Sequence, residues 1–172
     1  VYPRRGDERD AQEKSWWMPR LVSVTAASLP ELNPALIDAL RADLAATNYT
    51  VQGVREVVGD VAADALDREQ WVPAVAAARG SGEAAATLLR LFQLGDEPTR
   101  AQVAAALPNV GVDGLAALGL VTTAGAGAGD AVRATCDLSP YSAQDEQGDV
   151  DWWIASDPGE IARRGALPTD YV

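Results

Sequence analysis

The 172-residue sequence contains no histidine and only one cysteine. Without histidine there is no Ser-His-Asp triad, no imidazole general base and no His-ligated zinc site. A single cysteine excludes an intrachain disulfide and any metal site that is built from several thiolates. No run of about 18 apolar residues is present, and the charged amino terminus does not resemble a signal peptide. We therefore expect a cytoplasmic protein without a membrane partner.

Basic side chains are also scarce, since 14 Lys and Arg stand against 25 Asp and Glu and give a formal net charge of −11. Nucleic acids and anionic membrane surfaces are bound through basic patches, so this balance argues against both as partners. The apolar content of 48% suits one ordinary domain or two small ones. Because the chain starts at Val1 and stops at Val172, we interpret it as a piece of a longer protein.

The first 28 residues are predicted to be a flexible leader or a docking arm. Residues 1–15 carry eight charges that sum to zero and almost no apolar side chains. Such a segment cannot bury enough surface to offset the entropy of ordering it. The next residues are Trp16, Trp17 and Met18. They either dock on the folded part as an arm or belong to a dispensable extension.

Residues 29–82 have the pattern of an α-helical subdomain. Large apolar residues within 36–44 recur at i, i+1, i+4 and i+8, which places them on one face of a helix. Asn33 and Thr50 are predicted to be N-caps, because their side-chain oxygens can accept hydrogen bonds from a first-turn amide. The segment therefore predicts four short helices.

Residues 83–138 are predicted to form a winged-helix-like subdomain. A period of 3.6 predicts three helices, and a period of 2 then predicts a β-hairpin whose turn is a run of alternating Ala and Gly. Three helices followed by a two-stranded hairpin is the order of elements in a winged helix. The predicted elements are helices over 83–94, after the predicted N-cap Thr99 and over 111–118, then strands from Val121 and over 132–138. The whole chain is thus expected to be mainly α with a small β part.

Two features of this unit imitate functional motifs. The glycine run at 125–129 resembles a phosphate-binding loop, but a strand pattern follows it rather than a helix. We therefore interpret the run as the tip of the wing. Cys136 lies on the apolar side of the second predicted wing strand, and a buried, unreactive thiol is the better interpretation.

A winged helix suggests DNA binding, but the charges argue against it. Residues 111–120, which include the predicted recognition helix, hold one charged side chain, the acidic Asp113. Residues 83–138 contain three basic and six acidic residues. Affinity for DNA depends on neutralising phosphates, so direct DNA binding is not expected.

Residues 139–172 are predicted to be a polar, acidic loop over 139–151, a short Trp-containing strand and a linker toward a catalytic domain. Seven acids and no base occur between residues 137 and 160. Their spacing lacks the order of a calcium loop, and nothing marks two of them as a buried catalytic pair. A solvated acidic loop is the preferred interpretation. The sequence predicts no catalytic, cofactor-binding or metal-ligating residue.

An interaction surface is expected around the tryptophans of this last segment. Adjacent side chains on a strand point to opposite faces, so one tryptophan can pack in the core while the other is exposed or covered by a partner. The alternative is that both are buried. The candidate residues for the surface are Tyr141, Trp152, Trp153 and Asp157.

Several segments resemble the N-terminal region of actinobacterial S-adenosylmethionine-dependent methyltransferases, which are similar to the release-factor glutamine and adenine-N6 methyltransferases. The segments are LRADLAATNYTV at 40–51, LLRLFQLG at 88–95, VDGLAALGLV at 112–121, DLSPY at 137–141, DWWIASD at 151–157 and LPTDYV at 167–172. The resemblance implies a catalytic domain beyond Val172, because the cofactor-binding glycine-rich motif and the Asn-Pro-Pro-aromatic motif of such enzymes are missing here.

Two alternative functions are expected. The resemblance implies a non-catalytic accessory region for substrate recognition or interaction, whose partners are its own C-terminal catalytic domain and a protein or nucleic-acid methyl acceptor. S-adenosylmethionine is then the cofactor of the full-length enzyme and binds no residue of this chain. The alternative is a free-standing winged-helix regulator or adaptor that binds protein rather than DNA.

Overall fold

The computed structural model describes residues 33–68, 70–145 and 148–158. Helices dominate these residues and the strands form two separate antiparallel pairs, so the expectation of a mainly α fold with a small β part is confirmed. The helices are α1 (Pro34–Ala46), α2 (Val51–Val58), α3 (Asp60–Leu66), α4 (Val72–Gly80), α5 (Ala84–Phe92), α6 (Arg100–Ala106) and α7 (Gly111–Ala117). The strands are β1 (Val121–Thr123), β2 (Val132–Ala134), β3 (Asp137–Asp145) and β4 (Gly148–Ser156). The predicted leader 1–28 and the linker beyond residue 158 lie outside the described residues.

The predicted N-caps are confirmed at three helices. The Asn33 side chain accepts a hydrogen bond from the backbone of Leu36, and Thr50 accepts one from the backbone of Gly53 at 3.0 Å. Thr99 forms a reciprocal capping box at the start of α6. Each cap satisfies an amide that has no partner inside its helix, which fixes where the helix begins.

The segment from α5 to β2 has the topology of a winged helix. Helices α5, α6 and α7 are followed by the antiparallel pair β1 and β2, in which Val121 lies opposite Ala134. Thr99, between α5 and α6, forms an isolated antiparallel bridge with Ala131, which joins the start of α6 to the residue before β2. The glycine run at 125–129 lies in the turn between β1 and β2. It is therefore the tip of the wing, as predicted, and no helix follows it.

One hydrophobic core serves both predicted units, 29–82 and 83–138. The side chain of Tyr49, from the loop after α1, is completely buried among residues of both. Burial of large apolar side chains is the main stabilising contribution to such a fold. Large members of this core are Leu40, Leu44, Val58, Leu88, Leu89, Phe92, Leu107, Leu115, Leu118, Val132 and Leu138.

A buried carboxylate joins α1 to the turn before α7. The side chain of Asp43 is fully buried and accepts hydrogen bonds from the backbone N of Asn109 and of Val110, both at 2.9 Å. It also accepts one from Nδ2 of Asn109. These bonds satisfy amides at the amino-terminal end of α7, where Val110 provides no side-chain cap.

The structure corrects two predictions near the end of the described chain. Residues 139–151 are not a polar loop, because Asp137–Asp145 is strand β3 and pairs along its whole length with β4. The second wing strand ends at Ala134, so Cys136 lies in a bend between two sheets rather than on that strand. Its thiol is half-buried, and burial together with the nearby charge of Asp137 raises its pKa to about 11.

Candidate interaction surface

The pair β3 and β4, which we call the hairpin, is hydrogen-bonded to the helical core through the buried residue Tyr49. The phenol oxygen of Tyr49 donates to the carbonyl oxygen of Leu138 on β3 at 2.9 Å and accepts from Nε2 of Gln93 at 3.1 Å. The carbonyl oxygen of Tyr49 accepts from Nε1 of Trp153 on β4 at 2.6 Å. Burial raises the pKa of the Tyr49 hydroxyl, so it remains a donor. Both strands are thereby fixed to the loop between α1 and α2.

The register of the hairpin divides its side chains between two faces. Tyr141 lies opposite Trp152, and Leu138 lies opposite Ala155. Side chains alternate between the two faces of a strand, and residues directly opposite each other share a face. Every second residue counted from Tyr141 on β3 and from Trp152 on β4 therefore lies on the same face of the hairpin. Four exposed residues form what we call the hairpin face: Tyr141, Val150, Trp152 and Ile154.

The two aromatic rings of the hairpin face are stacked on each other. The ring centroids of Tyr141 and Trp152 are 6.4 Å apart and their planes differ by 12°. Tyr141 nevertheless remains 48% exposed and Trp152 39% exposed. Stacked aromatic rings lose little conformational entropy when a partner covers them, which is why such residues are common at binding hot spots.

The opposite face of the hairpin is already used by the fold. Near the ends of the strands, Leu138 and Trp153 pack against the core. Farther along, the same face borders a polar cleft next to the start of α2, which is lined by Thr50, Gln52, Ser142, Ala143, Gln144 and Asp151. Among the described residues of the hairpin, the large apolar side chains that are exposed therefore all lie on the hairpin face.

An apolar groove of about 350 Å³ adjoins the hairpin face, and Trp152 lines it. Helix α1 forms one wall of the groove with Ile37 and Arg41. Leu118 and Leu120, which follow the end of α7, form part of another wall. The remaining lining residues are Leu40, Leu44, Leu138, Trp153 and Ala155. Since Arg41 is the only charged residue of this lining, the groove extends the apolar surface from the hairpin face to α1.

The stretch of chain that forms the hairpin is acidic, although Asp151 lies on the face opposite Tyr141 and Trp152 and the basic Arg41 lines the adjoining groove. The sequence from 137 to 160 contains seven acids and no base. Asp151 and Asp157 are exposed, while Asp137 is half-buried and has a raised pKa because of burial, partly offset by a hydrogen bond from Ser139. The combination of exposed aromatic rings and negative charge favours a partner that is both apolar and basic.

The structure brings together two of the four residues that were predicted for the interaction surface. Tyr141 and Trp152 lie side by side on the hairpin face, whereas Trp153 lies on the opposite face and is partly buried. Asp157 is exposed immediately after the end of β4. The role of Tyr49 as the anchor of the hairpin was not predicted. The only sequence signal for it was a large aromatic residue at the end of a helix, where polar residues are expected.

The basic residues of the winged helix are held by acidic neighbours. Arg133 lies 2.7 Å from Glu97, and Arg90 lies 2.9 Å from Asp96. Arg100, at the start of α6, pairs with Asp113 on α7. Each of the three basic residues of 83–138 is thus neutralised within the domain. The surface that contacts DNA in other winged helices lacks free positive charge at these positions.

Neither a cluster that could hold a metal nor a helix long and apolar enough to cross a membrane occurs in the described part of the chain. The features described define a winged-helix-type domain with an added aromatic hairpin. The chain belongs to the family described as domain of unknown function DUF7059, whose profile matches residues 46–135. No curated protein and no solved structure matches the chain. The match runs from the end of α1 to just after β2 and does not include the hairpin.

Proposed function

We propose that this chain is a non-catalytic interaction module and that the hairpin face is its binding surface. The observation that carries the proposal is the stacked, exposed pair of Tyr141 and Trp152 on a hairpin whose other face is anchored in the core. Tyr49 fixes both strands, so the aromatic pair is presented on a rigid support. Exposed apolar residues next to each other on such a support are typical of protein–protein contacts.

A protein partner fits this surface better than DNA. The recognition helix α7 carries Asp113 and no basic side chain. The three basic residues of the winged helix are paired with acids, and the hairpin adds further acids. A DNA backbone brought to this domain meets net negative charge, which opposes binding most strongly at low salt.

The parent protein in this proposal is a cytoplasmic S-adenosylmethionine-dependent methyltransferase, and the chain is its N-terminal accessory region. The support is the resemblance of the segments between residues 40 and 172. The partners are then the catalytic domain that follows in the same protein and the protein or nucleic acid that is methylated. The glycine run at 125–129 does not suit the cofactor, since it is the tip of a wing and opens no helix.

Two measurements test the proposal that the parent protein is a methyltransferase. The coding sequence after Val172 is expected to contain a glycine-rich strand-loop-helix followed by an Asn-Pro-Pro-aromatic motif, and a stop codon directly after Val172 would refute the assignment. Calorimetric titration of the 172-residue chain with S-adenosylmethionine is expected to give no binding heat. Micromolar affinity would show that the chain itself carries the cofactor site.

The second candidate function is a free-standing winged-helix regulator or adaptor, which the complete order α5 to β2 favours. It predicts a stable protein complex of the isolated chain, or salt-dependent binding to duplex DNA. A gel shift at low salt separates the two versions, and the ion pairs of Arg100 and Arg133 predict that no shifted band appears.

A further inference from the structure

The hairpin face is an exposed apolar surface in an acidic part of the chain. These two properties restrict which segments could bind to it. Tyr141, Val150, Trp152 and Ile154 each keep about two fifths or more of their surface exposed. The charged residues in the sequence of the hairpin are all acidic, since residues 137–160 contain no base, and the adjoining groove adds one basic side chain, Arg41. A segment that covers this face must therefore supply apolar side chains and positive charge together.

One segment of the same chain has this chemistry. Residues 14–22 contain Lys14 and Arg20 but no acid, and between these two bases stand Trp16, Trp17 and Met18. We propose that residues 14–22 bind the hairpin face and cover Tyr141 and Trp152 until a partner displaces them. The inference rests on the proposed function, because it names what occupies the binding surface when no partner is present.

The chain length allows this contact. Residues 23–32 connect the segment to Asn33, and ten residues span up to about 35 Å when extended. Ile37, one turn into α1, lines the same groove as Trp152, so the start of α1 is close to the hairpin face. The order also agrees, since Leu21 and Val22 are nearer in sequence to α1 than the two tryptophans and are the apolar residues that this proposal assigns to the groove.

A second copy of the chain is a poorer occupant. Self-association through the hairpin face would bring together two chains that each carry a formal charge of −11. Like charges across an interface oppose association. The segment at 14–22 instead places two positive charges beside the acids of the hairpin.

The tryptophan indole signals of the ¹⁵N-labelled 172-residue chain test the proposal, since the five tryptophans give separate probes. In the double variant Trp16→Ala/Trp17→Ala, the Trp152 signal is expected to shift, while those of Trp153 and Trp71 stay in place. Trp153 is the internal control because it lies on the opposite face of β4 and donates to Tyr49. Raising the salt from 0.1 M to 1 M, which shortens the Debye length from about 10 Å to about 3 Å, should move the Trp152 signal in the same direction.

A synthetic peptide of residues 12–24, added to the double variant, is expected to restore the wild-type position of the Trp152 signal. An unchanged Trp152 signal in the double variant, together with no effect of the peptide, would overturn the proposal. A Trp152 signal that instead changes with protein concentration would show that a second copy covers the face. None of these outcomes depends on an external partner, so a failure here leaves the proposed function standing.

Discussion

At the scale of single residues, Gly53 shows how closely the loop before α2 is packed. Asn48 has a φ of 54°, in the left-handed region that Asn tolerates better than most residues. A Cβ at position 53 would collide with the backbone oxygen and the side chain of Asn48. Gly53 therefore allows α2 to begin directly against the loop that contains Tyr49.

Gly53→Ala is expected to destabilise the domain by about 1–3 kcal/mol, the usual cost of overpacking, although Ala is the better helix former. Gly80→Ala is the matched control, since Gly80 also lies in a helix and a Cβ there meets nothing within 4 Å. It should stabilise by up to about 1 kcal/mol. Urea unfolding measures both, and equal effects of the two substitutions would contradict this account.

Asp96 links α4 to the end of α5 and makes the free energy of unfolding depend on pH in the acidic range. Burial alone would raise the pKa of its carboxyl, but hydrogen bonds from Arg79 and Arg90 and from the backbone of Glu97 lower it to about 2. A lowered pKa in the folded state contributes stability above pH about 4, and this contribution is lost as the pH falls towards 2.

Asp96→Asn is expected to cost about 1 kcal/mol at pH 7, because solvent screens part of the interaction. The difference from the wild type should shrink between pH 4 and pH 2. Asp113→Asn serves as the control: Asp113 is 90% exposed in its pair with Arg100, so no measurable change is expected. Denaturant unfolding across this pH range gives the result, and a difference that persists at pH 2 would be inconsistent with the lowered pKa.

At the scale of elements, the helices were largely predictable and the hairpin was not. Asn33, Thr50 and Thr99 act locally, so their caps can be recognised from a few neighbouring residues. Strand β3 has no such local signal, because one of its faces is buried only near Leu138 and borders a polar cleft farther along. Pro140 within it also suggests a loop, yet it is tolerated because a two-stranded sheet consists only of edge strands.

The attachment of the hairpin depends on a contact that is distant in sequence. Tyr49 and Leu138 are 89 positions apart, and Tyr49 and Trp153 are 104 apart. The alternation of Trp152 and Trp153 was predictable from strand geometry and is confirmed. Which of the two is exposed was not predictable, because that depends on where Tyr49 lies.

Tyr49→Phe is expected to destabilise the domain by about 1–3 kcal/mol, since it leaves the carbonyl of Leu138 and the amide of Gln93 without their buried partner. Amide exchange in β3 should increase more than exchange in α5. Tyr141→Phe is the matched control, because the Tyr141 side chain is exposed, and its effect should stay within about 0.5 kcal/mol. If both variants have the same stability, Tyr49 is not the anchor of the hairpin.

At the scale of the whole molecule, charge and fold favour different functions, and the proposed function follows the charge. The topology from α5 to β2 is that of many DNA-binding domains, but fold does not determine function. The excess of acids was visible in the sequence, whereas the pairing of Arg100 with Asp113 and of Arg133 with Glu97 requires the structure. Both argue against DNA as the partner and support the proposal of a protein partner.

The most direct test of the central claim is the affinity between the 172-residue chain and the polypeptide encoded after Val172, produced separately and measured by calorimetry. Trp152→Ala is expected to weaken this affinity about 30-fold or more, as for a hot-spot residue. Trp71→Ala, which removes a tryptophan of similar exposure from outside the hairpin, should leave it unchanged. Equal affinities of the two variants would contradict the assignment of the hairpin face as the binding surface.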